Sequence, residues 1–341
     1  MANELLIYGV GRSGTTAIYN TIQSMVLSVY SKVDFVYEPF LWSPDVFNMK
    51  ASDITDEFSY TSSLSIDGIY ANSRLPLLVS SDPGVLIDSL DDNIKSYLDN
   101  ICIKKDSVDF LITKAIRANG RSVIFDYINP ENKKVFVIRN PVDVLNSSLS
   151  MFCFYGSDFH RSDYQRFYQE AVSIYGKEAE ICPTDSTVQQ QAFYWYFSNR
   201  KFLEDNANKP NTFFIVYDDY INNKSDTLNK LAEFMCIHIP EEMLGETDKK
   251  VGPVTANSKL TADDVEQLKF YHEKYIELIE LYFSDLRIDF ESILLKHCDS
   301  LGKHKADRYF TGYTPLFLQN QLYRQHKKSC KRKISSFFRK N

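Results

Sequence analysis

The chain has 341 residues, 44% hydrophobic and 25% charged, which is the balance of a soluble globular protein and not of a collagen-like, mucin-like or disordered chain. Asp and Glu (45) outnumber Lys and Arg (39), yet Gln321–Asn341 holds eight basic residues and no acid, so the body of the chain is the acidic part. That excludes a general nucleic-acid binder, which needs a basic footprint across its domain, and no run approaches the roughly 18 apolar residues of a membrane span.

In chain order, Leu5–Tyr8 reads as a fully buried strand that ends in Gly9-Val10-Gly11-Arg12-Ser13-Gly14. A strand this early leaves no room for a secretory leader, so the expected location is cytoplasmic. The six cysteines (102, 153, 182, 236, 298, 330) contain no CxxC pair and are read as free thiols of a reducing compartment. They and the six histidines show no ligand spacing, so no metal is expected. Thr15–Leu27 follows as a helix, and Asp34–Tyr37 as a strand that stops at Glu38-Pro39. Residues 43–83, rich in Ser, Asp and Pro, are expected to form loops and short helices over one face. Ile87–Ile101 is predicted helical, Asp109–Thr113 and Lys134–Ile138 are predicted strands, and Val142–Phe152 is a predicted helix. An aromatic-rich helix over Thr187–Asn206 precedes a strand at Thr212–Val216 and a helix at Lys224–Cys236. A long helix then spans Thr261–Phe283, where Thr261-x-x-Asp264 makes a capping-box start. Strands alternating with helices predict one α/β domain, a mostly parallel sheet with helices on both faces.

The segment from Gly9 to Thr16 admits three readings. As G-x-G-x-x-G after a strand it fits a dinucleotide loop, with Asp34 about where a ribose-binding acid belongs. As a phosphate loop of the Walker type it has Gly9 and Gly14 at the right spacing, but Thr15 stands where the lysine should be, which argues against ordinary nucleoside triphosphate hydrolysis. The third reading gives roles to the residues the others ignore. The backbone amides at a helix N-terminus, the hydroxyls of Ser13, Thr15 and Thr16, and the Arg12 guanidinium suit a 5′-phosphate carrying one further anionic group.

Arg12-Ser13-Gly14-Thr15-Thr16 resembles the 5′-phosphosulfate loop of sulfotransferases that use 3′-phosphoadenylyl sulfate (PAPS). Val135-Phe136-Val137-Ile138-Arg139-Asn140-Pro141-Val142-Asp143-Val144-Leu145-Asn146-Ser147 resembles the 3′-phosphate motif of the same family, a strand ending in Arg with a Ser eight residues on. Further likeness comes from Phe35–Trp42, similar to a Phe-Glu-Pro segment of carbohydrate (Golgi-type) sulfotransferases, and from Lys114-Ala115-Ile116-Arg117, Ile215–Tyr220 and Ser258–Thr261. The resemblance implies a P-loop-type domain over residues 1–310 and a basic tail over 311–341. It implies PAPS held by Gly11, Arg12, Ser13, Gly14, Thr15, Thr16, Arg139, Ser147 and Lys259. It further implies catalysis by Arg12 and Lys114 on the leaving group, with Glu38 either the general base or a structural carboxylate paired with those cations. The implied acceptor is a hydroxyl of a carbohydrate or glycolipid.

Tyr194, Trp195 and Tyr196 can stack on a ligand, but an aromatic stripe on a helix is read as core and stays outside the site. In the tail, Cys330, Ile334, Phe337 and Phe338 recur at helical spacing among lysines. This is either an amphipathic helix over 321–341 for an anionic membrane surface or a solvated end. Two rival functions stay open: a nicotinamide-dependent oxidoreductase, and a non-catalytic nucleotide-binding protein of the same fold.

Overall fold

A parallel sheet is buried on both faces, so its strands are written as nearly continuous apolar runs whose alternate residues serve opposite layers. Five such runs pair in a computed structural model that describes residues 3–37, 104, 106–115, 120–122, 126–127, 129–148, 158–238 and 260–298. They are β1 (Glu4–Tyr8), β2 (Val33–Tyr37), β3 (Phe110–Ala115), β4 (Lys133–Ile138) and β5 (Thr212–Val216). All pairs are parallel, in the order β2-β3-β1-β4-β5. Leu5, Ile7, Phe35, Ile112, Val135, Val137 and Ile215 face one layer, while Leu6, Tyr8, Val36, Leu111, Phe136, Ile138 and Val216 face the other.

Helix α1 (Thr15–Leu27) covers the first face with Ile18, Ile22, Met25 and Val26. On the other face lie α2 (Pro141–Ser148), α3 (Asp158–Tyr175) and α4 (Thr187–Asn206). Helix α5 (Lys224–Met235) returns to the first face with Leu228, Leu231 and Met235. Helices α6 (Ala262–Tyr282) and α7 (Phe290–Cys298) close the second face through Leu268, Tyr271, Tyr275 and Ile293. Capping boxes start α4 (Ser186 with Gln189) and α6 (Thr261 with Asp264), the second as the sequence predicts. Among the described residues, no helix is long and apolar enough to cross a membrane.

The expected α/β sheet of the P-loop type, with helices on both faces, is the observed one, and α1, α4 and β5 keep their predicted bounds. Some segments carry elements the sequence did not suggest. Tyr217–Tyr220, directly after β5, forms one helical turn. Two helices, α3 and α7, and a further helical turn at Lys177–Glu180 occupy stretches for which the sequence suggested no element. From Tyr164 on, helix α3 buries Phe167 and Ala171 and covers its core side with half-buried Tyr164, Tyr168 and Tyr175, so its apolar period is masked there by hydroxyl-bearing rings. The predicted loops at 43–83, the helix at 87–101, the end of the helix at 149–152 and the tail at 311–341 lie outside the described residues.

The order of the strands positions the site. Strands β2 and β3 lie on one side of β1, and β4 and β5 on the other, so the chain changes direction across the sheet beside β1, the point where α/β sheets hold ligands at their carboxyl ends. The glycine loop, Lys114 and Arg139 all lie at that edge.

Candidate active site

The glycine loop is shaped by two close approaches. The Ser13 amide donates to the Val10 carbonyl (3.1 Å), and Arg12 (φ 74°) and Gly14 (φ 93°) both take left-handed backbone. A Cβ on Gly14 would stand 2.2 Å from Cε2 of Tyr217, and one on Gly9 would stand 2.5 Å from the Val137 carbonyl oxygen. Neither glycine tolerates a side chain, Gly9 because of contact alone and Gly14 because of contact and torsion together. The non-glycine Arg12 carries a backbone cost of about 1–2 kcal/mol in this conformation.

Helix α1 starts at Thr15 with no side-chain cap hydrogen bond, and a helix start of this kind presents backbone amides and the positive end of the helix dipole to an anion. Ser13 is 0% exposed, and its Oγ has no hydrogen-bond partner among the described residues. A buried hydroxyl left unpaired costs about 1–3 kcal/mol, and a phosphate oxygen in the loop would relieve that cost. Thr15 is buried and Thr16 exposed.

Lys114, next to last in β3, pairs with Ile7 of β1 and Tyr37 of β2 and is 1% exposed. Burial, and then the nearby Arg12 charge, push its ammonium down to about 7 from an ordinary 10.5. The loop arginine also reaches across the carboxyl edge, where Arg12 Nε donates to Ser147 Oγ at 3.0 Å. Residues of the loop, of β3 and of α2 therefore converge. Tyr37, the neighbour of Glu38 in sequence, is in register with Lys114. Glu38 and Lys259 themselves lie outside the described residues.

The arginine end of β4 is built from side chains. Asn140 caps α2: its Oδ1 accepts from the Asp143 amide (2.8 Å), and Pro141 takes the first helical position, where no amide is missed. Asn140 Nδ2 donates to Asp143 (2.9 Å) and to Asp218 (2.6 Å), and its amide donates to Asp218 as well (2.9 Å). Tyr275 of α6 donates its hydroxyl to the same Asp218 oxygen (2.7 Å). Arg139 rests in this frame. Its Nη2 lies 3.3 Å from Asp143, its guanidinium carbon 4.8 Å from the centre of the Tyr217 ring, and its carbonyl accepts from Trp195 Nε1 (3.1 Å). Arg139 Nε is buried with no hydrogen-bond partner among the described residues. Because Tyr217 touches both Arg139 and Gly14, the two predicted anion-binding stretches share one wall.

Several of these residues escape a reading of the sequence for function. Trp195 is core, as expected, but its indole N–H also fixes the β4 end. Asn140 and Asp143 carry a legible cap pattern, whereas Asp218 and Tyr275 meet only through tertiary packing. A dinucleotide fold puts the strand after the first helix beside β1, with its acid at the strand end. Here β3 intervenes, and Asp34 is the second residue of the edge strand β2, paired with Leu111. Among the described residues, no cluster of His, Cys, Asp or Glu could hold a metal ion.

A family model described as the sulfotransferase domain matches residues 2–252. Solved structures with similarity to the chain include a sulfotransferase from Alicyclobacillus acidocaldarius (13% identity, TM-score 0.40, covering 84% of this chain and 97% of that one). A sulfotransferase from Mycobacterium avium is similar at 11% identity and a TM-score of 0.45 (84% and 78% covered). A mouse sulfotransferase complexed with PAP is similar at 12% identity and a TM-score of 0.37 (86% and 89% covered). No curated protein sequence matches the chain.

Proposed function

This chain belongs to the sulfotransferase domain family, and on that premise we propose that it transfers the sulfuryl group of PAPS to a hydroxyl of a carbohydrate or glycolipid. The observation that carries the reading is the meeting of Arg12, Lys114 and Ser147, since it gives one anionic donor a cationic centre with a phosphate cradle on either side. The loop amides, Ser13, Thr15 and Thr16 would hold the 5′-phosphate, while Arg139, Ser147 and Lys259 would hold the 3′-phosphate. The orphaned Ser13 Oγ and Arg139 Nε suit that pair of anions. The carbohydrate class rests on the Phe35–Trp42 likeness.

Sulfuryl transfer leaves the protein mostly positioning and charge stabilisation. The acceptor oxygen attacks sulfur in line, the bond from sulfur to the bridging oxygen of the 5′-phosphate breaks, and that oxygen keeps the electron pair. Lys114 and Arg12 would neutralise the charge that develops there, and Glu38 would take the hydroxyl proton. Glu38→Gln is expected to leave nucleotide binding intact and to lower turnover by about 10²–10⁴-fold. Near-normal turnover in that variant would remove Glu38 from the role.

Thermal shifts with 3′,5′-bisphosphoadenosine (PAP), NAD and ATP, followed by labelled PAPS against a panel of glycans and glycolipids, test the reading. PAP alone should stabilise the protein, and a glycan should become labelled. Stabilisation by NAD instead would favour the oxidoreductase, and PAP binding with no labelled product would favour a non-catalytic binder. For 321–341 we propose peripheral contact with an anionic cytoplasmic membrane face. Co-sedimentation with anionic vesicles should be lost on deleting those residues, and no binding at low salt would discard the idea.

A further inference from the structure

An arginine that must present itself to a ligand needs a carboxylate that steadies it without capturing all its donors, because a carboxylate can take a guanidinium through both oxygens at once. Asp143 is the carboxylate beside Arg139, and its two oxygens are used differently. Oδ2 receives Asn140 Nδ2 (2.9 Å) and faces Arg139 Nη2 (3.3 Å). Oδ1 meets Nε2 of His297 at 2.7 Å, with both side chains 2% exposed. An ionised carboxylate only accepts, so the histidine is the donor. His297 sits on α7, 154 positions from Asp143 and beyond the span matched by the family model.

We propose that His297 is a positioning residue for Arg139, acting through Asp143, and that it sharpens preference for a nucleotide bearing a 3′-phosphate. The inference rests on the reading that Arg139 meets that phosphate. By occupying Oδ1, the imidazole holds that oxygen away from the guanidinium, which faces Oδ2 at 3.3 Å, and so favours presentation of the arginine donors to the ligand. Without a donor at 297, Oδ1 loses its hydrogen bond to the imidazole, and turning it toward Arg139 closes a two-oxygen clamp that draws the guanidinium off the 3′-phosphate. Helix α7 thereby becomes part of the donor site without touching the donor.

Calorimetric titration of PAP and of 5′-AMP, which lacks the 3′-phosphate, tests this in the full chain and in its Arg139→Ala, His297→Leu and His297→Gln variants. The unaltered protein should prefer PAP, and Arg139→Ala should erase that preference. If either fails, the nucleotide reading falls, and the inference with it. With both in hand, His297→Leu should cut PAP affinity about ten-fold and leave 5′-AMP binding unchanged. It should raise the donor KM at constant kcat, and His297→Gln, which can donate to Asp143, should restore most of the preference. Equal weakening of both nucleotides would make His297 merely structural, and an unchanged PAP preference in His297→Leu would overturn the proposal outright. Should His297→Leu fail to fold, the Gln variant decides, since loss of PAP preference despite a donor at 297 contradicts the account.

Discussion

The glycine loop after β1 and the arginine end of β4 lie on the same sheet edge and are built by opposite means. The loop is backbone: left-handed torsions at Arg12 and Gly14, an uncapped helix start, and glycines pressed against Tyr217 and the Val137 carbonyl. Its shape follows from a dozen consecutive residues. The arginine end is side chain: Arg139 is aimed by Asp143 and Tyr217, Asn140 is pinned by Asp218, and Asp218 is held in turn by Tyr275. That frame draws on β4, α2, the turn at 217–220, and α6. A site made of backbone tolerates no added atom, whereas a site made of buried polar partners tolerates no missing one.

Breaking each end should therefore look different. The largest effect is expected at the loop. Gly14→Ala forces a Cβ into the Tyr217 ring at a positive φ and should cost about 2–4 kcal/mol of stability together with donor binding; melting curves and PAP titration check both. At the other end, Asp218→Ala removes the acceptor of the Asn140 amide and of the Tyr275 hydroxyl and one of the two acceptors of the Asn140 side chain. It should cost about 3 kcal/mol in urea unfolding. That loss should fall on the Arg139 end, weakening PAP more than 5′-AMP.

A smaller, pH-dependent effect sharpens the comparison from between the two ends. Lys114 holds its proton up to about 10.5 when unfolded but only to about 7 when folded. Between these values the unfolded chain binds more protons, so the ligand-free protein should gain stability as pH rises from 7 toward 10. Donor binding should move the other way, because the anion needs the ammonium: affinity should fall by up to about ten-fold per pH unit above 7. Lys114→Met should flatten both profiles. A pH-independent affinity in the unaltered protein would remove Lys114 from the donor site.

What could be read in advance follows the same division. The loop, the alternation of strands with helices that marks an α/β sheet, and the Arg139–Ser147 spacing are local patterns, and the elements that carry them match closely. Asn140-Pro141-x-Asp143 was open to the same reading, as a helix start. Tyr217 and Asp218 fall in the Ile215–Tyr220 likeness, but their contacts with Arg139 and Asn140 were not legible there. Tyr275 and His297 carry no such signal, because each reaches the site only after distant helices pack. Helix α3 was hidden for another reason, since tyrosines cover its inward side and blur the apolar period. The contact between Arg12 and Ser147 was also not legible, since the sequence suggests two separate anion pockets and the guanidinium spans from one to the other.

The central claim is that one adenine nucleotide with phosphates at both ends of its ribose is gripped by both regions at once. Titration of the protein with PAP, 5′-AMP and 3′-AMP tests it most directly. The account predicts one PAP per chain, bound at least ten-fold more tightly than either monophosphate. A monophosphate that binds as tightly as PAP would contradict it, because one of the two ends would then contribute nothing.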